Sequence, residues 1–162
     1  MVAILGIDPG ITTTGWAVIE FTGNKDECRL VSSGIISTKS SRKLHDKLKL
    51  VYEGIKRIMK NFHPDVVAIE QVFFAKNAKT ALKVGEARGA IIVSLQEFKN
   101  IHILEYTPLQ VKNILCGYGR ADKYQIQNMV KITLNLKAIP KPDDVADAIA
   151  VALCALYSYK KV

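Results

Sequence analysis

Val2-Ala-Ile-Leu-Gly-Ile7, followed at once by Asp8-Pro-Gly10 and then by Gly15-Trp-Ala-Val-Ile-Glu-Phe21, is the stretch from which the fold of this chain is read. A continuous apolar run, without polar alternation, describes a strand buried on both faces, which requires helices on each side of its sheet. Asp-Pro-Gly then turns the chain. The second run returns beside the first, and Arg29–Ser37, entered after the turn signal Gly23-Asn24, adds a third strand, so short connections make a meander.

Working outward, Ser40 or Ser41 can cap a long amphipathic helix whose apolar positions Leu44, Leu48, Val51, Ile55, Ile58 and Met59 recur at helical spacing and which ends near Asn61, before Pro64. Val66–Glu70 reads as a fourth strand. A polar, basic loop from Gln71 carries Phe73 and Phe74, and a second long helix runs from about Asn77 to Phe98. Ile101–Tyr106 is the fifth strand, after which Thr107 and Pro108 serve as cap and first residue of a helix. Lys123–Leu134 follows the Gly117-Tyr-Gly119 turn, and Pro142-Asp-Asp144 opens a last, alanine-rich helix reaching about Tyr159. Right-handed crossovers would set strands four and five parallel to the first. The expectation is one α/β domain over residues 1–162, a five-stranded mixed sheet with helices on both faces.

The formal net charge of +8 points to a polyanionic partner. The apolar stretches are strand-length or broken by charges, and no basic segment leads into an apolar signal core at the start, so a soluble cytoplasmic protein with no membrane partner is expected. Cys28, Cys116 and Cys154 are odd in number and widely spaced, which fits reduced thiols better than a disulfide framework or a zinc site. His45, His63 and His102 are equally isolated.

Asp8 and Glu70 each end an apolar strand, and Asp144 and Asp147 open the last helix. Ends of adjacent parallel strands share one edge, where a crevice receives ligands. Each residue has an ordinary explanation: turn chemistry for Asp8, a solvated strand end for Glu70, and the helix dipole for Asp143 and Asp144. Jointly they are harder to explain that way, because Asp144 and Asp147 share a helical face that continues into the apolar stripe Ile149-Ala150-Leu153-Cys154. Carboxylates gathered in one crevice repel unless cations hold them. Two magnesium ions about 3.5–4 Å apart are the usual clamp for phosphodiester hydrolysis, and magnesium prefers oxygen ligands.

Three blocks now carry a resemblance: Ile4-Leu-Gly-Ile-Asp-Pro-Gly-Ile-Thr-Thr-Thr-Gly-Trp-Ala-Val18, Ala68-Ile-Glu-Gln-Val-Phe-Phe-Ala-Lys-Asn77 and Asp144-Val-Ala-Asp-Ala-Ile-Ala-Val-Ala152. With Ala87-Arg-Gly89 and Thr107-Pro-Leu-Gln-Val-Lys112 between them, they resemble the signature blocks of the RuvC Holliday junction resolvases, which have a ribonuclease H-like fold. The resemblance implies that Asp8, Glu70, Asp144 and Asp147 are catalytic ligands of two Mg2+ ions, for which Mn2+ can substitute. It implies a homodimer that resolves four-way DNA junctions by symmetric nicks in recombination and repair, beside branch-migration proteins of the RuvA and RuvB type. It assigns Phe73 to base unstacking, and Lys112 and Lys123 to phosphates near the scissile site. Asp143 is an extra acidic neighbour, and choosing Asp144 over it rests on spacing to Asp147.

Ala81, Gly85 and Gly89 recur every four residues on the second long helix. Glycine weakens a helix, so this face suits close approach of another backbone, either the chain's own sheet or, as the resemblance implies, a dimer partner. Lys76, Lys79, Lys83 and Arg88 would then flank the cleft, and the three lysines would meet DNA. Phe73 and Phe74 are adjacent and cannot both face a core if the strand continues, so one is exposed beside basic residues, where it could stack on a base.

Two other readings compete. Asp8-Pro-Gly-Ile-Thr-Thr-Thr-Gly15 also looks like the phosphate-binding turn of actin- or sugar-kinase-like phosphotransferases, but those close two such lobes around a nucleotide and this chain has one. A non-catalytic DNA-binding module would explain the charge and leave unexplained four carboxylates that repel phosphate.

Overall fold

The computed structural model describes residues 1–22, 27–38, 43–71 and 78–158, side chains 78–80 excepted. The elements are β1 Val2–Asp8, β2 Thr13–Phe21, β3 Arg29–Ser37, α1 Leu44–Phe62, β4 Val66–Glu70, α2 Ala78–Leu95, β5 His102–Tyr106, α3 Pro108–Cys116, α4 Lys123–Thr133 and α5 Asp143–Ser158. They form the five-stranded mixed sheet expected, in the order β3-β2-β1-β4-β5, with β1 antiparallel to β2 and parallel to β4.

Strand parity sorts the two faces. Leu5, Ile7, Val18, Val67 and Ile69 pack with Val51, Ile55, Ile91 and Leu95, which puts α1 and α2 on one face. Ile4, Ala17, Ile19, Val66 and Ala68 pack with α5 on the other, where Val111, Leu115 and Val130 of α3 and α4 cover the helix in turn. Helix α5 is therefore buried nearly all round, as its alanine-rich composition requires. Each large side chain it buries, Ile149 or Leu153, contributes about 1.5–3 kcal/mol.

Small residues set the depth of that packing. A Cβ on Gly6 of β1 would stand 2.1 Å from the Ala148 carbonyl oxygen, and one on Gly15 of β2 would stand 2.0 Å from that of Asp144. Both glycines are space for the α5 backbone.

Several boundaries differ from the sequence reading. Helix α1 begins at Leu44 behind Lys43, which makes no side-chain cap, while Ser40 and Ser41 lie outside the described residues. Helix α2 stops at Leu95 rather than Phe98, because the next amides reach back only three residues: Gln96 N–H donates to the Val93 carbonyl at 3.2 Å, and Phe98 N–H to that of Leu95 at 3.0 Å. The Thr107 cap is present, reinforced by Gln110 in a reciprocal capping box. Gly117 ends α3 in the left-handed region, at φ 81°. No helix among the described residues is long and apolar enough to cross a membrane.

Candidate active site

Register brings the first two carboxylates together. Ile7 and Ile69 are partners across the parallel β1–β4 pair, so Asp8 and Glu70, one residue on, leave the sheet side by side. Parity sends both toward α5, the face of Ile4, Gly6, Val66 and Ala68. Across the antiparallel pair Asp8 opposes Gly15, the residue against which the Asp144 backbone rests. Asp147 follows one turn later as the sole break in a buried run from Val145 to Leu156. The sequence pattern thus folds Asp8, Glu70, Asp144 and Asp147 to one end of the sheet.

Their electrostatics follow from that proximity. Burial raises the Asp8 carboxyl to about 8, and the charges of Glu70, Asp147 and Asp144 add to the rise. A side-chain hydrogen bond between Asp8 and Glu70 raises Asp8 further. Burial also raises Glu70, and the Asp8 hydrogen bond opposes it. Asp147 is raised by burial, against which Lys123 pulls down.

Lys123 is the cation of this arrangement. Its Nζ lies 3.2 Å from Asp147 Oδ2 and 3.2 Å from Asp143 Oδ2. Burial lowers the tendency of Lys123 to hold its proton, but the two carboxylates outweigh it and the net direction is upward. Asp122 caps α4, its carboxylate accepting from Gln125 N–H at 2.8 Å, and so fixes Lys123 as the first helical residue. Glu70, Lys112, Lys123 and Asp147 line a cleft of about 210 Å3 with Pro108, Val111, Ile126 and Ala150.

A metal ion fits this donor set. All four acidic side chains offer hard oxygen ligands, and Lys123 is the ammonium that faces Asp147 among them. Among the described residues no three His, Cys, Asp or Glu side chains converge tightly enough to form a cage as they stand.

Other predicted residues scatter. Phe73, Phe74, Lys76 and the Lys79 side chain lie outside the described residues. Lys83 is exposed on α2. Arg88 does not flank the cleft: its guanidinium pairs with Glu105, which opposes Ile69 and so faces the α1–α2 side of the sheet. Ala81 is buried in its own chain, whereas Gly85 and Gly89 have nothing within 4 Å of an added Cβ, so the open face of α2 carries the glycines without the alanine.

Sequence reasoning missed three supports. Gly6 and Gly15 set the depth of α5, a role visible only once the packing partner is known. Asp122 was findable from the Asp-x-x-Gln spacing of a capping box. Gln71 buttresses the end of β4, its N–H donating to the Tyr106 carbonyl at 2.8 Å and its Nε2 to Glu105 Oε2 at 3.3 Å.

Residues 4–155 match the family described as "Crossover junction endodeoxyribonuclease RuvC". A protein of that name from Caldicellulosiruptor saccharolyticus is 53% identical over 159 residues, covering 98% of this chain and 95% of its own. One from Halothermothrix orenii is 48% identical over 157 residues, covering 97% and 93%. Among solved structures, T. thermophilus RuvC in complex with a Holliday junction substrate superposes with a TM-score of 0.89 at 33% identity, covering 97% of this chain and 94% of that one.

Proposed function

The chain belongs to the RuvC family of crossover junction endodeoxyribonucleases, and from that membership we propose that it resolves four-way DNA junctions by phosphodiester hydrolysis at the Asp8–Glu70–Asp144–Asp147 site. The carrying observation is the half-buried carboxylate cluster at the end of β1 and β4, beside a cleft that two lysines line. Neither a binding module nor a nucleotide kinase lobe accounts for that combination.

Asp8, Glu70, Asp144 and Asp147 would hold magnesium, with manganese as a substitute. Bound there, two such ions would activate water and neutralise charge on the leaving oxygen. Lys112 and Lys123 bind the flanking phosphates and neutralise part of the charge that the carboxylates present to DNA. Capping of α4 and the Gln71 tether hold Lys123 and Glu70 in place before substrate arrives, so little reorganisation is left for the reaction. Phe73 would stack on a base unpaired at the crossover, and Lys76, Lys79 and Lys83 would extend the basic path.

The bare α2 face at Gly85 and Gly89 suits a second copy of the chain, whose two sites would then nick two strands symmetrically. The chain acts as one nuclease domain in the cytoplasm, in recombination and repair, beside branch-migration proteins of the RuvA and RuvB type.

Carboxylate variants test the reading. Asp8→Asn, Glu70→Gln, Asp144→Asn and Asp147→Asn should each bind a four-way junction as tightly as the wild type or more so, and cut it at least about a hundredfold more slowly, the equivalent of roughly 3 kcal/mol of lost transition-state stabilisation. A variant that cuts at the wild-type rate would remove its residue from the site.

A further inference from the structure

Asp143 is the immediate neighbour of Asp144 and shares the Lys123 ammonium with Asp147. Its two oxygens are both engaged by donors. Oδ1 accepts from Lys141 Nζ at 2.7 Å and from the buried Gln127 Nε2 at 3.3 Å, and Oδ2 faces Lys123 Nζ at 3.2 Å.

Helical spacing places Asp147 between two neighbourhoods. It shares one face with Asp144, three residues before it, and another with Asp143, four before it. Lys123 bridges the second pair with equal distances to each carboxylate. A divalent cation taking Asp147 would compete with this ammonium for the same carboxylate and repel it.

We infer that Asp143 is a positioning residue that receives Lys123 when a metal ion takes Asp147, keeping the ammonium inside the cleft instead of releasing it to solvent. The inference rests on the metal-site reading above and adds a residue to it. Gln127 and Lys141 are what make Asp143 a fixed acceptor: Gln127 is buried on α4, and both donate to Oδ1, which leaves Oδ2 to Lys123. Without Asp143, Lys123 would settle on Asp147 alone and oppose metal binding more strongly.

Binding of Mn2+ to the DNA-free protein tests this without reference to cleavage. Asp143→Asn should weaken Mn2+ binding about three- to fivefold, the size of one lost exposed ion pair. In a Lys123→Met background the same substitution should change affinity by less than about 1.5-fold. Asp143→Glu, which keeps a carboxylate for Lys123, should bind Mn2+ as the wild type does. Equal losses in both backgrounds would make Asp143 a direct ligand and overturn the inference, as would no loss in either. Asp8→Asn separates the two levels of the argument: lost Mn2+ binding there upholds the metal site even if the Asp143 coupling is absent, and unchanged binding overturns both.

Discussion

Asp144 rests its carbonyl oxygen on the bare Cα of Gly15, where a Cβ would stand only 2.0 Å away. Because Gly15 opposes Asp8 across the β1–β2 pair, this contact sets the distance between the carboxylates at the sheet end and those of α5. Gly15→Ala should push α5 outward, destabilising the fold by about 1–3 kcal/mol and slowing cleavage out of proportion to that loss. Denaturant unfolding and junction cleavage on the same preparation check it; unchanged values for both would show that the helix has room to spare.

Asp8 titrates at about 8 in the folded chain, against 3.8 for an ordinary aspartate. Between those values the metal-free folded state holds a proton that the unfolded state has lost, so the stability linked to Asp8 is full below about pH 4 and is lost as pH rises through about 8. Asp8→Asn should therefore stabilise the metal-free protein by an amount that grows over this window and levels off above it. Metal must displace the same proton, so wild-type Mn2+ affinity should fall as pH drops below about 8. A pH-independent affinity across the window would show that Asp8 is already ionised.

Much of this site was legible in the chain. Apolar runs ended by Asp8 and Glu70 place both residues at strand ends, and the crossover rule sets those strands parallel. What linear reading could not supply is the third dimension of small residues. Gly6 and Gly15 look like turn or strand glycines until α5 is seen lying on them. Ala81, Gly85 and Gly89 look like one stripe, yet a spacing of four drifts around a helix of 3.6 residues per turn, so Ala81 turns inward while Gly89 stays exposed. Arg88 belongs with the basic residues by charge and with Glu105 by geometry, a pairing that depends on the β4–β5 register.

Gly85 and Gly89 should behave oppositely to Gly15. With nothing within 4 Å of an added Cβ, Gly89→Ala should stabilise α2 by about 0.5–1 kcal/mol when measured at concentrations that favour the monomer. Gly89→Trp should leave that fold intact and weaken self-association, measured by sedimentation. A wild-type chain that sediments as a monomer with junction DNA present would remove the dimer from the account.

Lys112 and Lys123 line the cleft with Glu70 and Asp147. If each neutralises one phosphate, junction affinity should fall steeply with salt, and Lys112→Ala or Lys123→Ala should lower that slope by about one ion. An unchanged slope would confine Lys123 to its carboxylate partners.

A RuvC-family nuclease of this kind depends on a divalent metal and reads junction structure. The most direct test incubates the wild-type protein with a mobile four-way junction and with a linear duplex of matched sequence, each with and without Mg2+. The account predicts paired nicks, in two strands of like polarity, in the junction alone and only with metal. Equal cutting of the linear duplex, or junction cutting that persists in chelator, would contradict it.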